Sequence, residues 1–194
     1  MHDWTVDRTT NGTGPVWALS YNDIIRLDAG VWYAAKFAGT RVPTLEQLLL
    51  LLQPSNKSAI LELKGSWNVS QARVVTALLD EYDLGNRVIM ASFDLMTLRA
   101  LREAAPEIAR MVIASSVVGD PAVLAAACGA MAIVTSAAFI QGSPGVVERI
   151  HAAGLGVLVY TLNDETAWSH AIALGADGLI TDRPETLSAW LAGG

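Results

Sequence analysis

Six short apolar runs set the chain's rhythm: Ala59–Lys64, Val88–Ser92, Arg110–Ala114, Ala132–Thr135, Gly156–Thr161 and Gly178–Thr181. Their starts recur at intervals of about 21 to 29 residues, the length of one strand, one helix and two short loops. Several are apolar nearly throughout, as strands covered on both faces must be. The gaps read as helices. Val69–Tyr82 places Val74, Val75, Leu78, Leu79 and Tyr82 on one face. Asp94 can cap a helix that runs to Ala105 and stops before Pro106. Val146–Ala153 ends at Gly154 and Glu165–Leu174 at Gly175, and a last helix starts near Pro184. A closed (β/α)8 barrel takes eight strands and about 250 residues. Six units leave an open doubly wound sheet or a barrel without its two leading strands, and periodicity alone does not choose.

Composition narrows the classes. Hydrophobic residues make up 52% of the 194 and charged residues 16%, so much of the chain is buried and disorder is excluded. No apolar run reaches the ~18 residues of a membrane span. Leu48–Leu52 is the longest candidate; it follows a capping box from Thr44 to Gln47, is broken by Gln53 and Pro54, and reads as a buried helix. A net charge of −6 argues against a nucleic-acid surface, while an anionic substrate remains open if local bases reverse the field in one cleft. The single cysteine, Cys128, lies in an apolar helical stretch and reads as a small core residue.

The first forty residues behave differently. Turn formers crowd Thr9–Pro15, and Asp28-Ala29-Gly30 and Phe37-Ala38-Gly39 add further breaks. One domain is expected over residues 1–194, with residues 5–43 an irregular excursion that holds one short helix at Ser20–Arg26.

Specific motifs accompany this organisation. The chain opens on His2-Asp3-Trp4-Thr5-Val6-Asp7-Arg8-Thr9-Thr10-Asn11-Gly12. Leu27-Asp28-Ala29-Gly30, Phe37-Ala38-Gly39 and Pro43-Thr44-Leu45 follow, then Leu61-Glu62-Leu63-Lys64, Ser92-Phe93-Asp94, Thr161-Leu162-Asn163-Asp164 and Gly175–Pro184. In order and spacing this series resembles the glycerophosphodiester phosphodiesterase family over essentially the whole chain.

The resemblance implies a TIM-like (β/α)8 barrel, here N-terminally truncated to about six βα units, and metal-dependent hydrolysis of glycerophosphodiesters to glycerol 3-phosphate and an alcohol. Such a reaction requires neutralising a phosphoryl anion, activating a nucleophile and protonating an alkoxide. By resemblance His2 is the general acid toward the leaving alcohol, Glu62 a ligand of a divalent cation (Mg2+ or Ca2+), and Lys64 a base on the phosphate. Phe93, Tyr160 and Asn163 sit at strand ends, where barrel sites lie, and are expected to line the substrate cleft; the family usually has Trp where Tyr160 stands. Glu62 and Lys64, two apart on a strand, point to one side. His151 and His170 read as solvated helix positions, and Asp177 and Asp182 as strand-end turn residues.

The family's His-Arg-Gly, Pro-Glu-Asn-Thr and Glu-x-Asp elements have no counterpart here. This leads to the expectation that Met1 is an internal methionine, that the chain is an incomplete form with little activity, and that its first and last strand edges are open. The partner expected is a small-molecule glycerophosphodiester, with no nucleic acid and no transmembrane segment, and the expected compartment is the cytoplasm. A catalytically inactive barrel fragment serving as a binding module, and a related enzyme acting on phospholipid head groups, are the alternatives.

Overall fold

The computed structural model describes residues 1–117 and 119–193. They fall into two compact units, Met1–Lys57 and Ser58–Gly194.

The second unit is a six-stranded parallel sheet whose strands lie in sequence order: β1 (Ala59–Glu62), β2 (Val88–Ser92), β3 (Arg110–Ile113), β4 (Ala132–Ser136), β5 (Gly156–Tyr160) and β6 (Gly178–Leu179). The sheet curls into part of a barrel, with helices between its strands. All six expected strands are present, with ends shifted by one or two residues; Lys64 lies beyond the end of β1. Among the described residues β1 and β6 each pair with one neighbour only, so both edges are open.

Side-chain alternation divides the sheet into two faces. Ala91, Met111, Ile113, Ala132 and Val134 form the core of one, with Ile89, Leu158, Tyr160 and Ile180 packed against it. The opposite face buries Val88, Met90, Val112, Ile133, Val157 and Val159. Helices supply its cover, and Leu79, Leu98, Leu101, Ile150 and Trp168 are fully buried. Burial on both faces is why these strands read as continuous apolar runs.

The helices of this unit are α3 (Val69–Glu81), α4 (Leu95–Ala104), α5 (Pro121–Cys128), α6 (Ala137–Gly142), α7 (Val146–Ala152), α8 (Glu165–Ala173) and α9 (Pro184–Gly193). Asp94 caps α4 through the Thr97 N–H at 2.8 Å. Gly154 and Gly175, with φ of 75° and 90°, take the left-handed conformation that ends α7 and α8. Cys128 is buried in α5. Two details depart from expectation. Val74 is 65% exposed, and the buried stripe of α3 is Ala72, Val75, Thr76 and Leu79; the run of β-branched residues blurred the phase of the helix. Helix α6 was missed because six residues are too few to show a period. At the start of α3, Asn68 forms a full capping box with Gln71.

The first unit has little regular structure beyond α1 (Tyr21–Ile24) and α2 (Leu45–Leu52). Ser20 and Asp23, and Thr44 and Gln47, close capping boxes at their starts. The Asp28 carboxylate organises the excursion by accepting from the backbone N–H groups of Gly30, Val31 and Gly39 at 2.9, 3.0 and 2.6 Å. Two of the motif segments are thus tied by one side chain. The Leu48–Leu52 run is only half buried: Leu49 and Leu52 face inward, while Leu48, Leu50 and Leu51 are exposed. One helix face covers a core, and five consecutive leucines must also populate the other. No helix among the described residues is long and apolar enough to cross a membrane.

Candidate active site

Four of the expected site residues converge at the carboxyl ends of β1, β2 and β5. Glu62 is the last residue of β1 and pairs in register with Ala91, which faces the curled interior. Alternation therefore sends Glu62 to that face, with Lys64 two residues on. Lys64 Nζ donates to Glu62 Oε1 at 2.7 Å, and both side chains are about three-quarters buried. The same ammonium lies 5.8 Å from the ring centre of Phe93, which follows β2 directly. Phe93 meets Tyr160, the last residue of β5, edge to face at 6.5 Å. Burial raises the Tyr160 phenol pKa above its ordinary value, and the negative charge of Glu62 adds to that rise. The result is a carboxylate, an ammonium and two aromatic rings on one rim.

Asn163 is placed differently. Its amide nitrogen donates to Asp182 at 2.8 Å, and its carbonyl oxygen accepts from the Thr181 hydroxyl and the Asp182 N–H. It ties the loop after β5 to the chain leaving β6. Asp182 is thus a turn residue, as expected, and so is Asp177, whose carboxylate accepts from the Val157 N–H at 2.7 Å and pairs with His151 at 2.9 Å. His151 and His170 are exposed on α7 and α8.

In the first unit His2 is exposed, and its Nδ1 lies 2.8 Å from Asp3 Oδ1. Asp3 also accepts from Arg8 Nε and Nη2 at 2.6 and 2.9 Å. The Arg8 guanidinium, then His2, hold the Asp3 carboxyl well below the usual carboxylate range. An ionised carboxylate can only accept, so Nδ1 carries a proton and Nε2 faces outward. Such an orienting pair suits a histidine that exchanges protons through Nε2. The local signal for Arg8 is its place five residues after an Asp that neighbours a His, and the folded chain makes it the second partner of Asp3.

Curled parallel βα units with a charged and aromatic cluster at the carboxyl rim define the α/β-barrel class of enzyme. The glycerophosphoryl diester phosphodiesterase family model matches residues 1–186, and the chain belongs to that family. It is 31% identical over 190 residues to a glycerophosphodiester phosphodiesterase of Caldanaerobacter subterraneus, covering 96% of this chain and 77% of the relative. A crystal structure of a glycerophosphodiester phosphodiesterase from Agrobacterium tumefaciens superposes with a TM-score of 0.81 at 33% identity, covering 97% of this chain and 79% of that one. An Oleispira antarctica phosphodiesterase in complex with the product sn-glycerol-3-phosphate shares the fold, with a TM-score of 0.84 at 24% identity over 99% and 78% of the two chains.

Proposed function

We propose that the chain hydrolyses glycerophosphodiesters to glycerol 3-phosphate and an alcohol. Family membership supports this reading, and the observation that carries it is the joining of Glu62, Lys64, Phe93 and Tyr160 at one strand-end rim. An ammonium has three N–H donors. One of those on Lys64 goes to Glu62, which leaves the others for phosphate oxygens. Phe93 and Tyr160 offer apolar walls to the carbon skeleton of the substrate. Asn163 holds the neighbouring loop through Thr181 and Asp182. His2, oriented by Asp3, is proposed as the acid that protonates the departing alkoxide from Nε2.

The family resemblance implies a divalent cation, Mg2+ or Ca2+. Among the described residues, however, no three His, Cys, Asp or Glu side chains gather as a metal site. Glu62 is the carboxylate of the rim cluster, and it is already paired with Lys64. Calcium takes about six to eight oxygens and magnesium a near-ideal octahedron. The donors present among the described residues do not fit either ion, and no step is derived through one.

The test is release of glycerol 3-phosphate from glycerophosphocholine, with and without added Mg2+ or Ca2+. The expected result is weak turnover, in keeping with the little activity expected of this chain, that His2→Ala lowers by about 10²-fold or more and that Lys64→Met weakens through a higher KM. No turnover under any of these conditions, or turnover indifferent to both substitutions, overturns the proposal.

A further inference from the structure

We propose that the first unit carries a membrane-interface surface, which seats on zwitterionic phosphocholine lipid. The reading is independent of the hydrolytic one. Six large aromatic side chains stand exposed on this unit, five of them in two groups: Trp4 against Trp17 at 6.2 Å, and Trp32, Tyr33 and Phe37 in a row of contacts at 5.7 Å each. Trp17 is 72% and Tyr33 71% exposed. Arg8 links the groups, since its guanidinium binds Asp3, the neighbour of Trp4, and lies 5.8 Å from the Trp32 ring. Exposed apolar groups on this scale mark interaction surfaces.

Charge selects the occupant. Residues 1–57 hold five Asp or Glu and five Lys or Arg, so the chain's net charge of −6 falls entirely on the second unit. An anionic bilayer would be repelled by that surplus and would find no net positive charge on the first unit to offset it. A phosphocholine surface matches what is present. Arg8 and Lys36 each lie beside an aromatic ring, Lys36 at 4.9 Å from Phe37, where a lipid phosphate can meet the cation and a quaternary ammonium the rings. Trp and Tyr, amphipathic and flanked by basic side chains, are the residues that settle at the level of lipid head groups.

The experiment is co-sedimentation of the intact chain with phosphatidylcholine vesicles and with phosphatidylglycerol vesicles, together with tryptophan quenching by phosphatidylcholine brominated in its acyl chains. The expected result is binding to phosphatidylcholine with quenching. Trp17→Ala/Tyr33→Ala, with an unchanged circular dichroism spectrum, should weaken binding by about tenfold or more, and Trp17→Tyr/Tyr33→Phe should retain most of it. Failure of the wild type to sediment, equal binding by the alanine variant, or preference for phosphatidylglycerol overturns the proposal. So does a lipid-free dimer that the alanine variant abolishes, because a second copy would then be the occupant.

Discussion

Lys64 and Glu62 form an ion pair at 2.7 Å just where β1 ends, with the Lys64 ammonium 5.8 Å from the centre of the Phe93 ring. Strand alternation puts the two side chains on one face, and curvature of the sheet then brings in the ends of β2 and β5. The pair is neither buried nor freely solvated. Its energetics therefore fall between those of a surface bridge and of an interior one.

Removing one partner leaves the other charge partly desolvated. Lys64→Met is expected to destabilise the fold by about 1 kcal/mol, and Glu62→Gln/Lys64→Met to recover most of that loss. Urea unfolding of the wild type, both single variants and the double variant measures the coupling. Additive losses would show that the pair contributes nothing.

Tyr160 reports on Glu62. Burial and the carboxylate both push its phenol upward, so the folded state resists forming a phenolate. Its contribution to stability is complete below the ordinary phenol value and is lost as pH rises through the raised one. Glu62→Gln removes the charge and leaves the burial. The Tyr160 titration, followed by ultraviolet difference absorbance against Tyr160→Phe, should move down toward the ordinary value without reaching it. A titration unmoved by Glu62→Gln would separate the two groups.

Just before β6, Asp177 is held down chiefly by the Val157 N–H, an effect that burial opposes and that His151 reinforces. A depressed carboxylate stabilises the fold above its unfolded value, and that stability is lost as pH falls through the folded value. The loss should therefore fall below the ordinary 3.8. Asp177→Asn should flatten this part of the stability–pH curve, which thermal melts between pH 5 and the acid limit of folding would reveal. An acid limb as steep as that of the wild type would discount the contact.

Gly30 is fixed by close approach. A Cβ there would lie 2.0 Å from the Phe37 carbonyl oxygen, a backbone atom that cannot swing aside. Gly30→Ala should cost on the order of 2 kcal/mol and open the loop to trypsin at Lys36. Gly39→Ala meets no atom within 4 Å but imposes a side chain at φ 86°, and should cost about 1 kcal/mol. Equal trypsin resistance of wild type and Gly30→Ala would show that the loop relaxes freely.

Arg110 forms a buried anchor at the start of β3. Its guanidinium donates to the carbonyls of Ala105, Pro106 and Ile108 at 3.0, 3.2 and 2.7 Å, closing the turn after α4. Arg110→Met should strand those acceptors at a cost of about 1–3 kcal/mol. Arg110→Lys should restore part of it. Chemical denaturation decides, and an unchanged midpoint for Arg110→Met would mean that water replaces the guanidinium.

The sequence by itself determined the parallel βα order, the strand positions and most helix ends. These are legible because they depend on neighbours within one element: strand alternation, capping boxes such as Thr44 with Gln47, and glycines such as Gly154 and Gly175 at helix ends. Only the tertiary structure decided which groups meet. Nothing local joins Phe93 to Tyr160, or Asp28 to Gly39, or commits Asn163 to Asp182 instead of the Glu62 cluster. It also decided which leucines of α2 face out and that Val74 does too, because exposure depends on what else packs nearby. Contacts between residues far apart along the chain carry no local pattern, and curvature of the backbone brings them together.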